Sequence, residues 1–329
     1  MSWVIESRKA LEMNNIVRVG LIGVGKMGQN HLRILSMLKG IELVFIHDAN
    51  FETANQLAAN YGVVAVDSPL ESLENVDAVI IASPTATHAH FIMEVGKKVR
   101  NIFVEKPLSS TLAEAEQLVT FAHEFDLNLQ VGFIERFNPA VQAIKQVLDR
   151  SEKVISIDFT RTNKLSARIT DVDVVADLMI HDIDLAMYLN GPVKTVDAHG
   201  MVQDGMIDFA SALLTHTNGS FSRIQASRVT EKRVRMIQVT CSDKYVDCDL
   251  LRKEIIITRQ SEIQQLAGEP YTISALEETV EVRSQEALLS EHQAFLGSCN
   301  GKKIDDQPGI HAGLNAMIIC DQIQKAVLR

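Results

Sequence analysis

The sequence predicts an α/β protein of two domains, an N-terminal doubly wound domain with a parallel sheet and a C-terminal α/β domain with a large, mostly antiparallel open sheet. Two observations predict this class. Up to Gly132, short β-branched runs alternate with helical patterns, which requires right-handed crossovers between parallel strands. Beyond Gly132, strand patterns follow one another with turn signals between them. We therefore expect residues 1–132 and 133–329 to form the two domains.

The elements of the N-terminal domain follow from hydrophobic periodicity. Strands are predicted at Val17–Gly23, Glu42–Asp48, Ala78–Ser83, Asn101–Glu105 and Asn128–Gly132. Helices are predicted at Lys26–Leu38, Phe51–Asn60, Thr87–Lys98 and Ser110–Phe125. Residues 1–15 carry charges and no apolar core of a signal peptide. We assign them no function.

The C-terminal domain changes from alternation to a run of strands. Helices are predicted at Asn138–Asp149, Val174–Leu189, Ala287–Cys299 and His311–Leu328. Strands are predicted at Lys153–Thr162, Thr195–Met201, Phe209–Thr215, Ser220–Ala226, Val234–Thr240, Tyr245–Leu250 and Glu254–Thr258. Several of these strands alternate apolar and polar residues, the period of a half-buried strand.

Composition narrows the class of partner. The chain has 329 residues, of which 46% are hydrophobic and 22% charged, an ordinary globular composition. Its 32 basic and 42 acidic residues give a formal net charge of −10, which argues against binding nucleic acid or an anionic membrane because those surfaces need excess Lys and Arg. No segment approaches the roughly 20 apolar residues of a membrane-spanning helix. We expect a small-molecule partner.

The cysteines and histidines predict no metal site. Cys241, Cys248, Cys299 and Cys320 show neither CxxC nor metal-ligand spacing, so we expect free thiols in a reducing cytoplasm. His88 and His90 form an HxH without a Cys or acidic partner at ligand spacing. Redox chemistry, where present, then belongs to an organic cofactor.

A glycine-rich GxGxxG motif predicts a dinucleotide site. It directly follows the first strand and opens the first helix, where glycines allow a tight turn and close approach to a pyrophosphate. An acid, Asp48, ends the second strand 20 residues beyond Gly28, the place of a ribose-binding carboxylate. No Arg follows Asp48, which favours NAD over NADP. The predicted cofactor residues are Gly23, Gly25, Lys26, Met27, Gly28 and Asp48. The alternative is a glycine corner with a solvated acid.

Lys106 is the first candidate for chemistry. It lies in Glu105-Lys106-Pro107 at the end of a strand, and ligands of open α/β sheets bind outside the carboxyl ends of the strands. A lysine there can hydrogen-bond a substrate hydroxyl and stabilise a developing alkoxide. The alternative is a surface lysine at a strand end.

Asp177 and His181 form the second candidate. Their i,i+4 spacing on a predicted helix places both on one face. A carboxylate beside an imidazole raises its proton affinity and fixes its tautomer, as suits a general base that removes a hydroxyl proton. The alternative is an ion pair on a helix surface.

Two segments of the C-terminal domain are locally basic. Arg161, Lys164 and Arg168 give three cations in eight residues, and residues 223–235 contain five in thirteen. Arginines at these positions can bind a phosphate or carboxylate bidentately. Solvated strand faces are the alternative.

Together these motifs resemble the glucose-fructose oxidoreductase/inositol dehydrogenase (Gfo/Idh/MocA) family, over essentially the whole chain after Asn15. The resemblance implies an N-terminal Rossmann domain and a C-terminal sheet that commonly packs against a second subunit, hence a homodimer or homotetramer. It implies catalytic roles for Lys106, Asp177 and His181. It also implies cofactor contacts by Ser83, Pro84, Thr85, His88 and Glu105.

Within that family, three segments look like the branch of nucleotide-sugar 3-dehydrogenases that act on UDP-N-acetylglucosamine. They are Glu135–Pro139, Arg168–Asp184 and Ser227–Thr230. The likeness implies oxidation of a ring hydroxyl to a 3-keto sugar, with substrate contacts from Arg136, Asn138, Arg161, Arg168, Asp182 and Arg228. Two alternatives stay open, an inositol or free-sugar dehydrogenase of the same family and a non-catalytic NAD-binding regulatory protein.

Overall fold

The computed structural model describes residues 16–164, 172–260, 275–304 and 306–329. The chain forms two compact units. The first unit comprises Met1–Gly132 and Leu288–Leu314, and the second comprises Phe133–Ala287 and Asn315–Arg329. The boundary after Gly132 coincides with the change of pattern in the sequence. Residues 288–314, which the sequence assigns to the C-terminal domain, instead cluster with the first unit.

The first unit contains a six-stranded sheet in which every neighbouring pair is parallel. Its strands are β1 (Val17–Ile22), β2 (Ile41–His47), β3 (Val64–Ala65), β4 (Ala78–Ile81), β5 (Asn101–Glu105) and β6 (Asn128–Gly132). Their order, β3-β2-β1-β4-β5-β6, reverses direction between β1 and β4, which is the doubly wound arrangement. The predicted fold class is confirmed. The two-residue strand β3 was not predicted, because it is too short to show a period.

The α-helices of the described residues are numbered in chain order. They are α1 (Lys26–Met37), α2 (Phe51–Tyr61), α3 (His88–Gly96), α4 (Leu112–Glu124), α5 (Pro139–Leu148), α6 (Ile180–Asn190), α7 (Ala287–Cys299) and α8 (Ile310–Val327). Local chemistry sets their starts. For example, Thr111 and Glu114 form a reciprocal capping box at α4. None of the described helices is long and apolar enough to cross a membrane.

The core of the first unit explains why part of a distant segment belongs to it. Leu21, Ile80 and Phe103 from the sheet are fully buried, and Phe295 from α7 packs in the same cluster. The Phe103 and Phe295 rings meet edge to face with their centroids 5.7 Å apart. Burying Phe295 stabilises the unit by an amount of order 2–3 kcal/mol, and no local pattern announces that contact.

The second unit contains an eight-stranded sheet ordered β14-β13-β12-β11-β7-β10-β9-β8. Its strands are β7 (Val154–Thr162), β8 (Val193–Gln203), β9 (Met206–His216), β10 (Phe221–Ser227), β11 (Val234–Cys241), β12 (Tyr245–Asp249), β13 (Glu254–Gln260) and β14 (Ala275–Val280). Only β7 and β10 pair in parallel among these described strands. The predicted mostly antiparallel sheet is confirmed, with β14 as an addition.

The two faces of this sheet differ. One face is buried, with Ile157, Ile224 and Ile237 each 0% exposed. The register places Leu213, Phe221, Tyr245 and Ile256 on the opposite face, where each is between 38% and 41% exposed. On this face they alternate with polar residues such as Arg223 and Asp247, and large apolar side chains that stay partly exposed are typical of an interaction surface.

Candidate functional site

The glycine motif forms the loop between β1 and α1, and each glycine has a separate reason. Gly23 has φ +93°, and a Cβ there would lie 2.5 Å from the Ser83 amide nitrogen. A Cβ at Gly28 would lie 2.0 Å from the Gly23 carbonyl oxygen. At Gly25, by contrast, a Cβ would meet no described atom within 4 Å. Gly25 therefore borders open space in front of the loop.

The N-terminus of α1 opens onto that space. Gly25 is its N-cap residue, and no side chain of the described residues caps it. The first amide N–H groups of a helix lack intrahelical acceptors and attract anions. Lys26 and Met27, in the first turn, are exposed. This geometry fits the pyrophosphate of a dinucleotide.

Asp48 lies beside the same loop, just beyond the carboxyl end of β2. Its Oδ2 atom accepts the Val24 amide N–H at 2.8 Å, and its Oδ1 atom accepts the Asn50 amide N–H at 2.9 Å. These two bonds orient the carboxylate. The arrangement of glycine loop, open helix terminus and acid fits a dinucleotide with an unphosphorylated ribose.

The carboxyl ends of β4 and β5 are joined by His88. Its Nδ1 atom lies 2.9 Å from the Pro107 carbonyl oxygen and its Nε2 atom 2.9 Å from the Ser83 carbonyl oxygen. Burial lowers the pKa of His88, although both carbonyl groups oppose that shift. Thr85 begins a short 3₁₀ turn, and Pro84 before it is exposed. Through His88, the segment predicted to contact the cofactor is therefore hydrogen-bonded to the strand end that carries Lys106.

Glu105 and Lys106 end β5. The Lys106–Pro107 peptide bond is cis, and the Lys106 amide N–H donates to Glu105 Oε2 at 3.2 Å. Glu105 is only 8% exposed, and its Oε1 atom lies 2.8 Å from His31 Nε2. Sequence reasoning missed His31 and its further partner His292. The available signal for His31 was its position three residues after Gly28, on the buried side of α1.

In the second unit, Arg161 is held inside an ion network. Its Nε and Nη2 atoms donate to both oxygens of Asp182 at 2.8 and 2.7 Å, and its Nη1 atom donates to Glu135 at 2.9 Å. Burial alone lowers the pKa of Arg161, but these carboxylates outweigh it, so the net pKa is raised. Arg161 and Asp182 are each 2% exposed. Their contact with substrate stays a prediction, and in the structure they bind each other.

Arg136 and Asn138 have similar internal partners. Arg136 donates to both oxygens of Asp184 at 2.8 and 2.6 Å, and its guanidinium lies 4.8 Å from the centre of the Tyr188 ring. Asn138 caps α5 through Ala140 and donates to Glu135 at 3.1 Å. Their substrate contacts likewise stay a prediction, and in the structure these bonds engage both side chains.

Asp177 lies in a π-helical turn, Val175–Met179, which precedes α6. The predicted helix from Val174 is present, but its first turn is π-helical, with hydrogen bonds that repeat at i,i+5 rather than i,i+4. Asp177 Oδ2 accepts from Arg228 Nη2 at 3.3 Å. His181 follows in the first turn of α6 and is half-buried. Arg168 lies outside the described residues.

The structure thus brings two groups of predicted residues together. In the first unit they are the glycine loop with Asp48, and Ser83, His88, Glu105 and Lys106 around the ends of β4 and β5. In the second unit, Asp177 contacts Arg228, while Arg161, Asp182 and Asn138 share the Glu135 network.

Comparisons with known proteins agree with this layout. Residues 17–133 match the NAD-binding Rossmann-fold domain of the GFO/IDH/MocA oxidoreductase family, and residues 156–246 match a C-terminal domain of that family. UDP-N-acetylglucosamine 3-dehydrogenase from Acidithiobacillus ferrooxidans is 31% identical over 94% of this chain and 97% of its own. Its solved structure gives a TM-score of 0.85 at 29% identity, covering 95% of this chain and 98% of that one. Inositol 2-dehydrogenase from Rhizobium meliloti is 27% identical over 94% of this chain and 97% of its own.

Proposed function

The chain belongs to the Gfo/Idh/MocA family of NAD-dependent oxidoreductases, and on that premise we propose that it oxidises the 3-hydroxyl of a UDP-N-acetylglucosamine-type nucleotide sugar to a ketone. One observation carries the substrate proposal. The likeness to UDP-N-acetylglucosamine 3-dehydrogenase extends over nearly the whole length of both chains, so it includes both units.

The first unit holds the cofactor. The loop from Gly23 to Gly28 and the open end of α1 accept the pyrophosphate, and Asp48 accepts the ribose hydroxyls. NAD, when bound, supplies the hydride acceptor. Asp48 also excludes a 2′-phosphate, because its carboxylate has no Arg or Lys partner among the described residues to offset the repulsion.

The second unit supplies the base. His181 takes the proton of the substrate hydroxyl, and Asp177 stabilises the resulting imidazolium. Arg228 Nη2 donates to Asp177 Oδ2. Lys106, in the first unit, is the residue that we propose to hydrogen-bond a substrate hydroxyl oxygen and to stabilise an alkoxide as it forms.

Because Arg136 and Arg161 bind carboxylates, we propose that other cations contact the diphosphate of the nucleotide sugar. Arg168 follows β7, and the exposed Lys232 and Arg233 lie in the loop that precedes β11. That loop is bound to the end of β7, because Thr162 Oγ1 donates to the Lys232 carbonyl oxygen. Arg228 also stays a candidate, since its buried Nε atom has no partner among the described residues.

A substrate panel tests the proposal. The purified protein is given NAD with UDP-N-acetylglucosamine, its uronate, myo-inositol or glucose, and NADH formation is followed. UDP-N-acetylglucosamine should give the highest kcat/KM. Lys106→Ala and His181→Ala should each lower kcat by about 10²–10⁴-fold, whereas exposed controls Lys39→Ala and His123→Ala should keep it. Unchanged turnover in both active-site variants would defeat the assignment.

A second candidate is an inositol dehydrogenase. It is favoured by the full-length match to inositol 2-dehydrogenase, at somewhat lower identity, and by the internal pairing of Arg136 and Arg161. Preference for myo-inositol in the panel would select it. NAD binding without turnover of any polyol or sugar would instead indicate the regulatory protein.

We also propose that the second unit forms a homo-oligomer through the exposed sheet face of Leu213, Phe221, Tyr245 and Ile256. These side chains are apolar, partly exposed and aligned by register, and a second copy would bury them. Sedimentation should find a dimer or tetramer. Replacing Leu213 and Phe221 by Glu should give a monomer, and a wild-type monomer would contradict the proposal.

The cytoplasm is the proposed location. None of the four cysteines, which all lie among the described residues, forms a disulfide, and burial raises the pKa of Cys248 and Cys299 to about 12. Thiols of this kind persist where glutathione keeps them reduced. Cell fractionation with an antibody to the protein tests this location.

A further inference from the structure

Three buried titratable groups of the first unit are joined one to the next by hydrogen bonds, and we call this series the line. His292 of α7, His31 of α1 and Glu105 at the end of β5 are 0%, 0% and 8% exposed. His292 Nε2 lies 2.8 Å from His31 Nδ1, and His31 Nε2 lies 2.8 Å from Glu105 Oε1. The line therefore joins the cofactor-binding helix to the residue before Lys106.

The surroundings of the two imidazoles are mostly apolar. The Phe103 ring lies 5.4 Å from His31 and 5.6 Å from His292, centroid to centroid. The charged or titratable groups around the line are Glu291, the buried neighbour of His292 in α7, together with His88 and Lys106 beside Glu105. In such a setting a missing hydrogen bond is costly.

Proton counting assigns the donors. A carboxylate only accepts, so His31 donates through Nε2–H to Glu105. We assign the second hydrogen bond to a neutral His31 ring that accepts at Nδ1 from the Nε2–H of His292. Burial, with His31 nearby, holds the pKa of His292 well below its usual value, so His292 is neutral at physiological pH. Both donors point toward Glu105.

At its far end, at His292, the line of hydrogen bonds stops. His292 Nδ1 is buried and has no hydrogen-bond partner among the described residues, so no described group takes a proton onward. A path that conducts protons needs an exit, whereas a line that fixes a side chain does not. The second oxygen of Glu105 accepts the Lys106 amide N–H, and a Cβ at the neighbouring Gly132 would lie 3.1 Å from this carboxyl group. The carboxylate is thus fixed from several sides.

We infer that His31 and His292 are positioning residues, which orient the Glu105 carboxylate and through it the main chain of Lys106. The inference rests on the proposed function, in which Lys106 acts on the substrate hydroxyl. His31 and His292 do not themselves contact the reacting atoms. They set the geometry of the strand end, and catalysis is sensitive to displacements of about 1 Å.

Paired substitutions test the inference. Gln can donate from an amide near the position of His Nε2, whereas Leu cannot. His31→Leu should lower kcat roughly 10- to 100-fold while changing the dissociation constant of NAD less than about threefold, and His31→Gln should recover most of kcat. His292→Leu and His292→Gln should behave in the same way with a smaller loss. His123→Leu, on an exposed face, is the matched control.

The outcomes are distinct. A wild-type protein that is active, with His31→Leu equally active, overturns the inference and leaves the proposed function standing. Equal losses in His31→Leu and His31→Gln also overturn it, because the donor then does not matter. Nitrogen-15 spectra of the wild-type histidines test the line without activity or variants. His31 and His292 should both be Nε2–H tautomers at neutral pH, and a doubly protonated His31 would overturn the assignment. Absence of turnover with every substrate defeats the proposed function alone.

Discussion

Arg161 and Asp182 form a bidentate ion pair inside the second unit, with N–O distances of 2.8 and 2.7 Å. Glu135 accepts from Arg161 and also from Arg235, at 2.9 and 3.2 Å. Two guanidinium groups therefore balance two carboxylates. These carboxylates therefore already neutralise the arginine that the sequence offers as a phosphate ligand. Removing its carboxylate partners would leave a buried charge.

Arg161→Met should destabilise the second unit. Removing one member of a buried pair leaves Asp182 uncompensated and costs about 3–5 kcal/mol in the free energy of unfolding. Urea titration measures this change in the free energy of unfolding. Arg252→Met is the matched control, because the ion pair of Arg252 with Asp249 is largely exposed on the arginine side, and an exposed pair contributes about 1 kcal/mol or less. A variant with full stability and a raised KM for nucleotide sugar would return Arg161 to the substrate-binding set.

The contrast between Gly23 and Arg161 shows how far sequence reasoning reaches. Gly23 follows a strand and precedes a helix, so its neighbours in the chain identify the motif, although the close approach of Ser83 is visible only in the structure. The charge of Arg161 is visible in the sequence, but its partner stands 21 residues away on another element. His31 and His292 are 261 residues apart, and no periodicity relates them. Local patterns therefore predicted the fold class, while the partners of buried charges required the tertiary structure.

Asp177 illustrates a different limit. Its spacing to His181 predicts one α-helical face, but residues 175–179 adopt a π turn. One extra residue in a turn alters which side chains align without changing hydrophobic composition. The pattern thus predicted the helix at this position but not the π turn with which it begins.

Gly25→Ala should separate cofactor binding from folding. A Cβ at Gly25 meets no described atom within 4 Å, whereas a Cβ at Gly28 would lie 2.0 Å from the Gly23 carbonyl oxygen. We expect Gly25→Ala to keep its thermal midpoint but bind NAD at least about tenfold more weakly, because the methyl group occupies the approach of the pyrophosphate. Gly28→Ala should lose stability outright. Calorimetry with and without NAD measures both, and unchanged NAD affinity in Gly25→Ala would contradict the assignment of the loop.

Asp48→Ser should change the cofactor preference. Loss of a carboxylate that hydrogen-bonds the ribose should weaken NAD binding roughly 10- to 100-fold, and NADP binding should improve because a like charge is removed. Titration with NAD and with NADP gives the ratio of the two dissociation constants. Glu52→Gln, an exposed acid in the first turn of α2, is the control for net charge. An unchanged ratio would show that Asp48 does not face the ribose.

The protein should become less stable as the pH is lowered, because of its buried histidines. Burial lowers the pKa of His292 strongly, and it also lowers the pKa of His88 and His216. Below about pH 6.5 the unfolded chain binds protons that the folded chain refuses, so unfolding becomes progressively easier. Each group can contribute up to about 1.4 kcal/mol per pH unit. Above that pH the contribution is constant.

The measurement is urea unfolding in steps between about pH 7.5 and pH 5.5, a window that stays above the titration of ordinary carboxylates. The wild-type free energy of unfolding should be level at the upper end and decline toward the lower end. His292→Gln removes one of the three groups, so its decline should be shallower, while the exposed control His123→Gln should follow the wild type. A flat profile, or stability that rises as pH falls, would mean that His292 carries a proton in the folded state. A charged His292 would still donate through Nε2–H to His31 Nδ1, so the donor direction would stand and the neutral state assigned to His292 would be wrong.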